Sequence, residues 1–147
     1  MAAGAPRVLI VLARFYDDIA DALLAGARAV LDEAGAEVDT MEVPGAFEVP
    51  GAVAFAHRSG RYDGYVALGC VIRGETSHYD LICSESARGL ADLASHHGAA
   101  LGYGILTTDT REQARMRAAV DGGDKGGDAA RACLRMIEVR KRFAEQS

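Results

Sequence analysis

Residues 7–34 read RVLIVLARFYDDIADALLAGARAVLDEA, and this stretch decides the fold class. Arg7–Ala13 is a short, continuously apolar run, typical of a strand that is covered on both faces. The apolar residues that follow recur at helical spacing and are Ile19, Leu23, Ala27, Val30, Leu31 and Ala34. Asp17 or Asp18 is predicted to cap this helix, and Gly35 to end it. The stretch therefore predicts a strand and a helix that crosses back over a sheet.

The same alternation continues to the end of the chain. Further strands are predicted at 38–43, 65–72 and 99–107, and further helices at 46–59, 77–97 and 128–143. Thr110 and Gln113 have the spacing of a capping box, which predicts a short helix after the fourth strand. Strands that alternate with crossover helices form a parallel sheet with helices on both faces. The fold class is therefore α/β, and ligands are expected at the carboxyl ends of the strands.

The composition narrows the class of protein further. The chain has 147 residues, which suits a single domain over residues 1–147, and half of them are apolar. Its formal net charge of −5 argues against nucleic acid or an anionic membrane as the main partner. No signal peptide and no apolar run of about 20 residues is visible, so a cytoplasmic location is expected. Cys70, Cys83 and Cys133 lack metal-ligand spacing and are predicted to be free thiols in a reducing compartment.

Chemically active residues follow every predicted strand. The four segments are Arg14-Phe15-Tyr16, Pro44-Gly45-Ala46-Phe47-Glu48, Arg73-Gly74-Glu75-Thr76-Ser77-His78 and Thr107-Thr108-Asp109. Phe15 adjoins charged residues, so it is expected to be exposed, whereas Phe47, in a first helical turn, is interpreted first as a core residue and only otherwise as a ligand contact. Exposed aromatic side chains at strand ends suit a flat, π-rich ligand.

The segment GCVIRGETSHYD, residues 69–80, has the clearest chemistry. Gly74 allows a sharp exit from the third strand, and Glu75 and Thr76 then present N–H groups at a helix N-terminus, where anions bind. His78 can transfer protons near neutral pH. An incidental exposed histidine beside a helix cap is the alternative, but the combination with Gly74, Thr76 and a strand end favours a functional role. His57, His96 and His97 lie at helix ends, where imidazoles suit the helix dipole.

Two further features allow more than one interpretation. Residues 122–127, GGDKGG, are not a P-loop, because the G-x-x-x-x-G-K-[ST] pattern is absent. They are either a flexible connector or part of a site. Arg111, Arg115 and Arg117 on the short helix form a solvated face, or one of them clamps a phosphate. Gly102-x-Gly104 lacks the third glycine of a dinucleotide-binding motif.

Five segments, in this order and spacing, resemble one known family. They are RFYDDIADALLAGA (14–27), VPGAFEVP (43–50), LGCVIRGETSHYD (68–80), GILTTDT (104–110) and GGDKGG (122–127). From about Arg7 to Phe143 the chain resembles the 6,7-dimethyl-8-ribityllumazine synthases. The resemblance implies a flavodoxin-like three-layer α/β/α sandwich around a four-stranded parallel sheet of order 2-1-3-4. It also implies condensation of 5-amino-6-(D-ribitylamino)uracil with 3,4-dihydroxy-2-butanone 4-phosphate, the penultimate step of riboflavin biosynthesis, without metal or cofactor.

The resemblance assigns a role to each candidate residue. Ribitylaminouracil binding is implied for Phe15, Ala46, Phe47, Glu48, Cys70, Val71, Ile72, Tyr103 and Lys125. By this resemblance, Phe15 would stack on the pyrimidine, Glu48 would accept hydrogen bonds from the ligand hydroxyls, and backbone groups of residues 70–72 would contact the ring. Glu75, Thr76 and Arg117 bind the butanone phosphate, and His78 is the catalytic proton carrier.

The resemblance also implies how subunits assemble. Family sites lie between subunits, so Tyr103, Arg117 and Lys125 are expected to come from the neighbour of a homopentamer. Some members form 60-subunit shells, and riboflavin synthase is a further expected partner.

The chain departs from common family residues at Tyr16, Glu75, Tyr103 and Asp124. The alternatives are a non-catalytic flavin- or lumazine-binding protein and a phosphorylated receiver, but a receiver needs an acid at 70–73, where the chain has CVIR.

Overall fold

The computed structural model describes residues 4–74 and 79–145. In these ranges the strands are β1 (Arg7–Ala13), β2 (Glu37–Val43), β3 (Gly64–Ile72) and β4 (Leu101–Thr108). The helices are α1 (Asp17–Glu33), α2 (Val49–Ser59), α3 (Tyr79–His97), α4 (Arg111–Ala118) and α5 (Lys125–Glu145), and a 3₁₀ turn at Ala46–Glu48 precedes α2. Within the described part of the chain, no helix combines the length and apolar character needed to cross a membrane.

The four strands form one parallel sheet in the order β2-β1-β3-β4. Side chains alternate between the two faces of each strand, so the sheet has two apolar cores. One core packs Val8, Ile10 and Leu12 of β1 against α1, α4 and α5. The other packs Leu9 and Val11 against α2 and α3. The predicted three-layer α/β/α architecture and the strand order 2-1-3-4 are confirmed.

Most predicted element boundaries agree with the structure within one or two residues, with two exceptions. The helix predicted over 46–59 is divided, because Ala46–Glu48 forms a 3₁₀ turn before α2 begins. The helix predicted from Asp128 begins at Lys125, so the last three residues of the GGDKGG segment are helical. The predicted loop over residues 122–127 is therefore wrong for residues 125–127, whereas residues 122–124 lie outside the helix.

The helix caps also differ in part from expectation. The predicted capping box is present, since the Gln113 N–H donates to Thr110 Oγ1 at 3.1 Å. The prediction that Asp17 or Asp18 caps α1 is wrong. Tyr16 is the N-cap residue and makes no side-chain cap bond, and both acids lie in the first helical turn. Asp18 is instead engaged by two arginines of α4.

The start of α5 fits closely against α1 because it lacks side chains. A Cβ atom on Gly126 would collide with the main-chain carbonyl of Leu23. Asp124, directly before the helix, has a φ of 48°, a left-handed conformation that Asp and Asn tolerate better than most residues. Its carboxylate accepts the Gly127 N–H at 3.3 Å and lies against Gly26. Gly126 of α5 and Gly26 of α1 thus allow the two helices to approach each other at the start of α5.

Replacing Gly126 by alanine is expected to lower the free energy of unfolding by about 2–3 kcal/mol, because rigid main chains must separate. The matched change Gly127→Ala collides only with the movable Asp124 carboxylate and should cost about 1 kcal/mol, the value of a helix cap. Urea unfolding at one fixed protein concentration measures both. Equal losses in the two variants would contradict the proposed backbone contact.

Candidate active site

The ends of β1, β2 and β3 surround a small cavity, which we call the aromatic depression. Its volume is about 220 Å³ and it is lined by Phe15, Tyr16, Gly45, Ala46, Phe47, Glu48, Cys70, Val71 and Ile82. The structure thus brings together six residues that the sequence marked as candidate ligand-binding residues. They come from three separate strand ends, as expected for a parallel sheet.

Two phenylalanines of the aromatic depression are open to solvent. Phe15 is 67% exposed and Phe47 is 55% exposed. The core interpretation of Phe47 is therefore wrong. Phe15 rests edge-on against the buried Tyr16 ring, with 4.9 Å between the ring centroids. Exposed aromatic rings around a concave surface can cover a flat heterocycle from its faces.

The end of β3 offers main-chain groups more readily than side chains. Cys70 and Val71 are buried but line the aromatic depression. The side chain of Ile72 is 2% exposed, packs into the core beside α1, and does not line the depression. Its predicted role through backbone groups stays a prediction.

A second cavity, which we call the basic depression, lies along β4. Its volume is about 480 Å³ and it is lined by Tyr103, Gly104, Ile105, Leu106, Thr107, Arg117 and Lys125. The three residues that the resemblance assigns to a neighbouring subunit are therefore found together. The basic depression shares no lining residue with the aromatic depression.

The three arginines of α4 differ in their ion pairs. Arg111 Nη2 lies 2.9 Å from Asp18 Oδ1, and Arg115 Nε lies 3.0 Å from Asp18 Oδ2. Arg117 forms no ion pair with a carboxylate of residues 4–74 or 79–145. A guanidinium without an anionic partner that faces a cavity is suited to bind a phosphate group.

Lys125 and Tyr103 are two further polar side chains of the basic depression. Lys125 Nζ is 3.7 Å from Asp128 Oδ2 within the first turn of α5, and half of the lysine side chain is exposed. Burial raises the pKa of the Tyr103 phenol, while a hydrogen bond with Ser86 on α3 acts in the opposite direction. Tyr103 is therefore a neutral phenol under physiological conditions.

The predicted anion site after β3 lies partly outside the described residues. Glu75, Thr76, Ser77 and His78 belong to the undescribed stretch. Gly74 before it has a φ of 84°, the left-handed conformation expected for a sharp exit from the strand. The Arg73 guanidinium is engaged by Asp109 at 2.9 Å and lies 4.5 Å above the Tyr79 ring.

His57, His96 and Cys133 line neither the aromatic depression nor the basic depression. His57 Nε2 is 2.9 Å from the carbonyl oxygen of His97, and His96 Nδ1 is 2.7 Å from Asp92. The cysteines are free, as predicted, and burial raises the pKa of the Cys133 thiol to about 12. No metal-binding group of three His, Cys, Asp or Glu residues occurs in the described ranges.

Comparison with known proteins points to one family. The family model described as 6,7-dimethyl-8-ribityllumazine synthase matches residues 5–141. Proteins of that name from Bartonella henselae and Agrobacterium fabrum are 55% and 54% identical, covering 95% and 94% of this chain and 91% and 97% of their own. The 6,7-dimethyl-8-ribityllumazine synthase 1 of Rhizobium meliloti is 55% identical and covers 95% of both chains.

The chain belongs to the 6,7-dimethyl-8-ribityllumazine synthase family.

The structure explains three of the positions at which this chain departs from common residues of the lumazine synthase family. Tyr16 is largely buried and lies under the guanidinium of Arg111, so it supports Phe15 and exposes little surface to a ligand. Asp124 performs the two tasks that asparagine performs equally well, a left-handed turn and a helix cap. The hydroxyl of Tyr103 faces Ser86.

One of the residues that line the aromatic depression of this lumazine synthase family member was not identified from the sequence. Ile82 belongs to α3, and the structure places it at the wall of the depression. An isoleucine at helical spacing is normally a core residue, so its pattern holds no signal for a ligand.

Proposed function

We propose that the chain is a catalytically active 6,7-dimethyl-8-ribityllumazine synthase of riboflavin biosynthesis. It would join 5-amino-6-(D-ribitylamino)uracil to 3,4-dihydroxy-2-butanone 4-phosphate and release the lumazine, phosphate and water. Family membership over residues 5–141 supports the reaction. The observation that carries it is the aromatic depression, since Phe15 after β1 and Phe47 and Glu48 after β2 line one cavity.

The proposed roles follow from the chemistry of each side chain. Phe15 stacks on the pyrimidine, and Glu48 accepts hydrogen bonds from the ribityl hydroxyls. Main-chain groups of Ala46, Phe47 and residues 70–72 bind the polar edges of the ring and chain. These contacts hold the pyrimidine amine so that it can attack the ketone of the second substrate.

The second substrate brings a phosphate that must leave. Arg117 would bind this phosphate, together with Glu75 and Thr76 of the undescribed stretch, whose main-chain N–H groups suit an anion. After imine formation, phosphate is eliminated, the ring closes and water is lost. His78 would move protons among the amine, carbonyl and leaving-group oxygens in these steps.

We propose that each site is completed by a neighbouring subunit of a homopentamer. Two separate half-sites on one chain support this arrangement, because Tyr103, Arg117 and Lys125 share no cavity with Phe15. Tyr103 would cover the heterocycle, and Lys125 would contact the same ligand. The family resemblance supports a 60-subunit shell as the larger alternative, riboflavin synthase as a partner, and a cytoplasmic location.

An apolar groove between β2 and α2 is consistent with subunit contacts. Its volume is about 650 Å³, and it contains the exposed side chains of Met41 and Phe55 beside the unpaired edge of β2. Apolar surface of this extent commonly marks an interface. Light scattering of the purified chain measures the assembly, and a monomer at assay concentration would contradict the pentamer.

The activity is tested by mixing both substrates with the purified chain and following lumazine absorbance and phosphate release. Equimolar product and phosphate, at a rate well above the uncatalysed reaction, are expected. Tight binding of lumazine or flavin without synthesis would refute catalysis and favour a non-catalytic binding protein. Arg117, which forms no ion pair within residues 4–74 and 79–145, speaks against that alternative, because a binder of dephosphorylated ligands has no need of a phosphate clamp.

A further inference from the structure

Asp18 lies at a junction of three parts of the fold. It belongs to the first turn of α1, directly after the segment that carries Phe15, and it contacts α4. Both of its carboxylate oxygens are used, Oδ1 by Arg111 at 2.9 Å and Oδ2 by Arg115 at 3.0 Å. The hydrogen bond from Arg115 is the largest of the contributions that lower the pKa of Asp18, so the carboxylate is charged at neutral pH.

Besides Asp18, the Arg111 guanidinium contacts an aromatic ring. Its guanidinium carbon lies 5.1 Å from the centroid of the Tyr16 ring, within the range of a cation–π contact. Its Nε is shielded from solvent and has no hydrogen-bond partner among the described residues. An unsatisfied N–H is unfavourable. Among the described residues, the Asp18 carboxylate and the Tyr16 ring are the contacts that hold the Arg111 guanidinium in this place.

The Tyr16 ring in turn contacts Phe15. The two rings meet at an interplanar angle of 80°, with 4.9 Å between their centroids. Phe15 is largely exposed, so few other contacts restrict its rotamer. The contacts thus form one series from Asp18 through Arg111 and Tyr16 to Phe15. Neither Asp18 nor Arg111 lines the aromatic depression or the basic depression.

We infer that Asp18 is a positioning residue for substrate binding: through Arg111 it fixes the Tyr16 ring, and so the orientation of Phe15 against the pyrimidine. The inference rests on the proposed function, in which Phe15 stacks on the ribitylaminouracil. The same carboxylate also ties α4, which carries Arg117, to α1 by way of Arg115. Asp18 itself touches no substrate.

The test measures the dissociation constant of 5-amino-6-(D-ribitylamino)uracil alone, by calorimetric titration of the assembled protein, beside kcat and KM. Asp18→Asn keeps the shape of the side chain and removes its charge. Because two partly exposed ion pairs are weakened, we expect the dissociation constant to rise about fivefold, with kcat within about twofold of wild type. Arg111→Gln should have the same effect. The double variant D18N/R111Q should bind the pyrimidine no more weakly than either single variant does.

The matched control is Asp32→Asn at the other end of α1. It removes the same charge from the same helix, and Asp32 forms no ion pair with the described residues. Its dissociation constant should stay within about twofold of wild type. If D18N does not fold, Arg111→Lys serves instead, because lysine keeps a charge for Asp18 but has no planar guanidinium for the Tyr16 ring.

The outcomes separate the inference from the proposed function. A wild-type dissociation constant in D18N, even with a lower unfolding temperature, would show a merely structural role and overturn the inference. Additive effects of D18N and R111Q would also overturn it. If the wild-type protein binds the pyrimidine but makes no lumazine, the proposed catalysis is refuted. The dissociation constants of the variants would still test the role of Asp18. Absence of pyrimidine binding by the wild-type chain overturns both.

Discussion

Subunits with Phe15→Ala, co-assembled with subunits carrying Arg117→Ala, are expected to recover about one quarter of wild-type lumazine synthesis. Each variant alone should synthesise lumazine about 5- to 150-fold more slowly than wild type. Loss of a stacking aromatic costs about 1–3 kcal/mol, and loss of a charged phosphate donor costs about 1.5–3 kcal/mol. The recovery follows because some sites combine an intact aromatic depression from one subunit with an intact basic depression from the next. Co-expression with two different tags, followed by the lumazine assay, measures it.

The control uses two changes in the same half-site. Phe15→Ala mixed with Phe47→Ala should recover nothing, because both residues line the aromatic depression of one chain. No mixed site then has both phenylalanines. Recovery in this control, or its absence in the first mixture, would contradict a site shared between subunits in the proposed way.

His78→Ala is expected to lower kcat/KM for lumazine formation by about 10²-fold, the lower end of the range for general acid–base catalysis. The loss stays partial because much of this condensation depends on holding the amine against the ketone. The pH profile of kcat/KM should also lose the limb that reflects an imidazole. Steady-state kinetics between pH 5 and 9 would measure both effects.

His96→Ala is the matched control for this variant. His96 lies at the C-terminal end of α3 and pairs with Asp92 at 2.7 Å, whereas His78 directly precedes the described start of that helix. The control should retain wild-type turnover and the wild-type pH profile. Full turnover in H78A would refute the proton-transfer role of His78 while leaving the synthase activity itself intact.

Local patterns predicted most of the secondary structure because the elements here follow simple rules. The apolar run Arg7–Ala13 is β1 without any change of boundary, and the capping box of Thr110 and Gln113 is formed. The start of α5 was missed because glycines normally oppose a helix. Gly126 is helical here since only glycine lets α5 approach the backbone of α1. Tertiary packing thus outweighed local propensity.

The candidate site was predictable for the part that depends on strand ends. Parallel strands bring their carboxyl ends to one edge, so Phe15 and Phe47 were expected to be neighbours. Their common cavity agrees with this expectation. The separation of Arg117 and Lys125 into a cavity of their own was implied only by the family resemblance, because spacing along the chain does not reveal which surface a helix presents.

The sequence by itself determined the α/β architecture and the family. Periodicity places apolar residues on one face, and the motifs that follow each strand are specific in type and order. Only the tertiary structure decided which charged residues meet. Asp18 appears in the sequence as a cap of α1, yet it binds Arg111, which lies 93 positions further along the chain. Such contacts depend on how helices pack across the sheet, and no local pattern of charges encodes that arrangement.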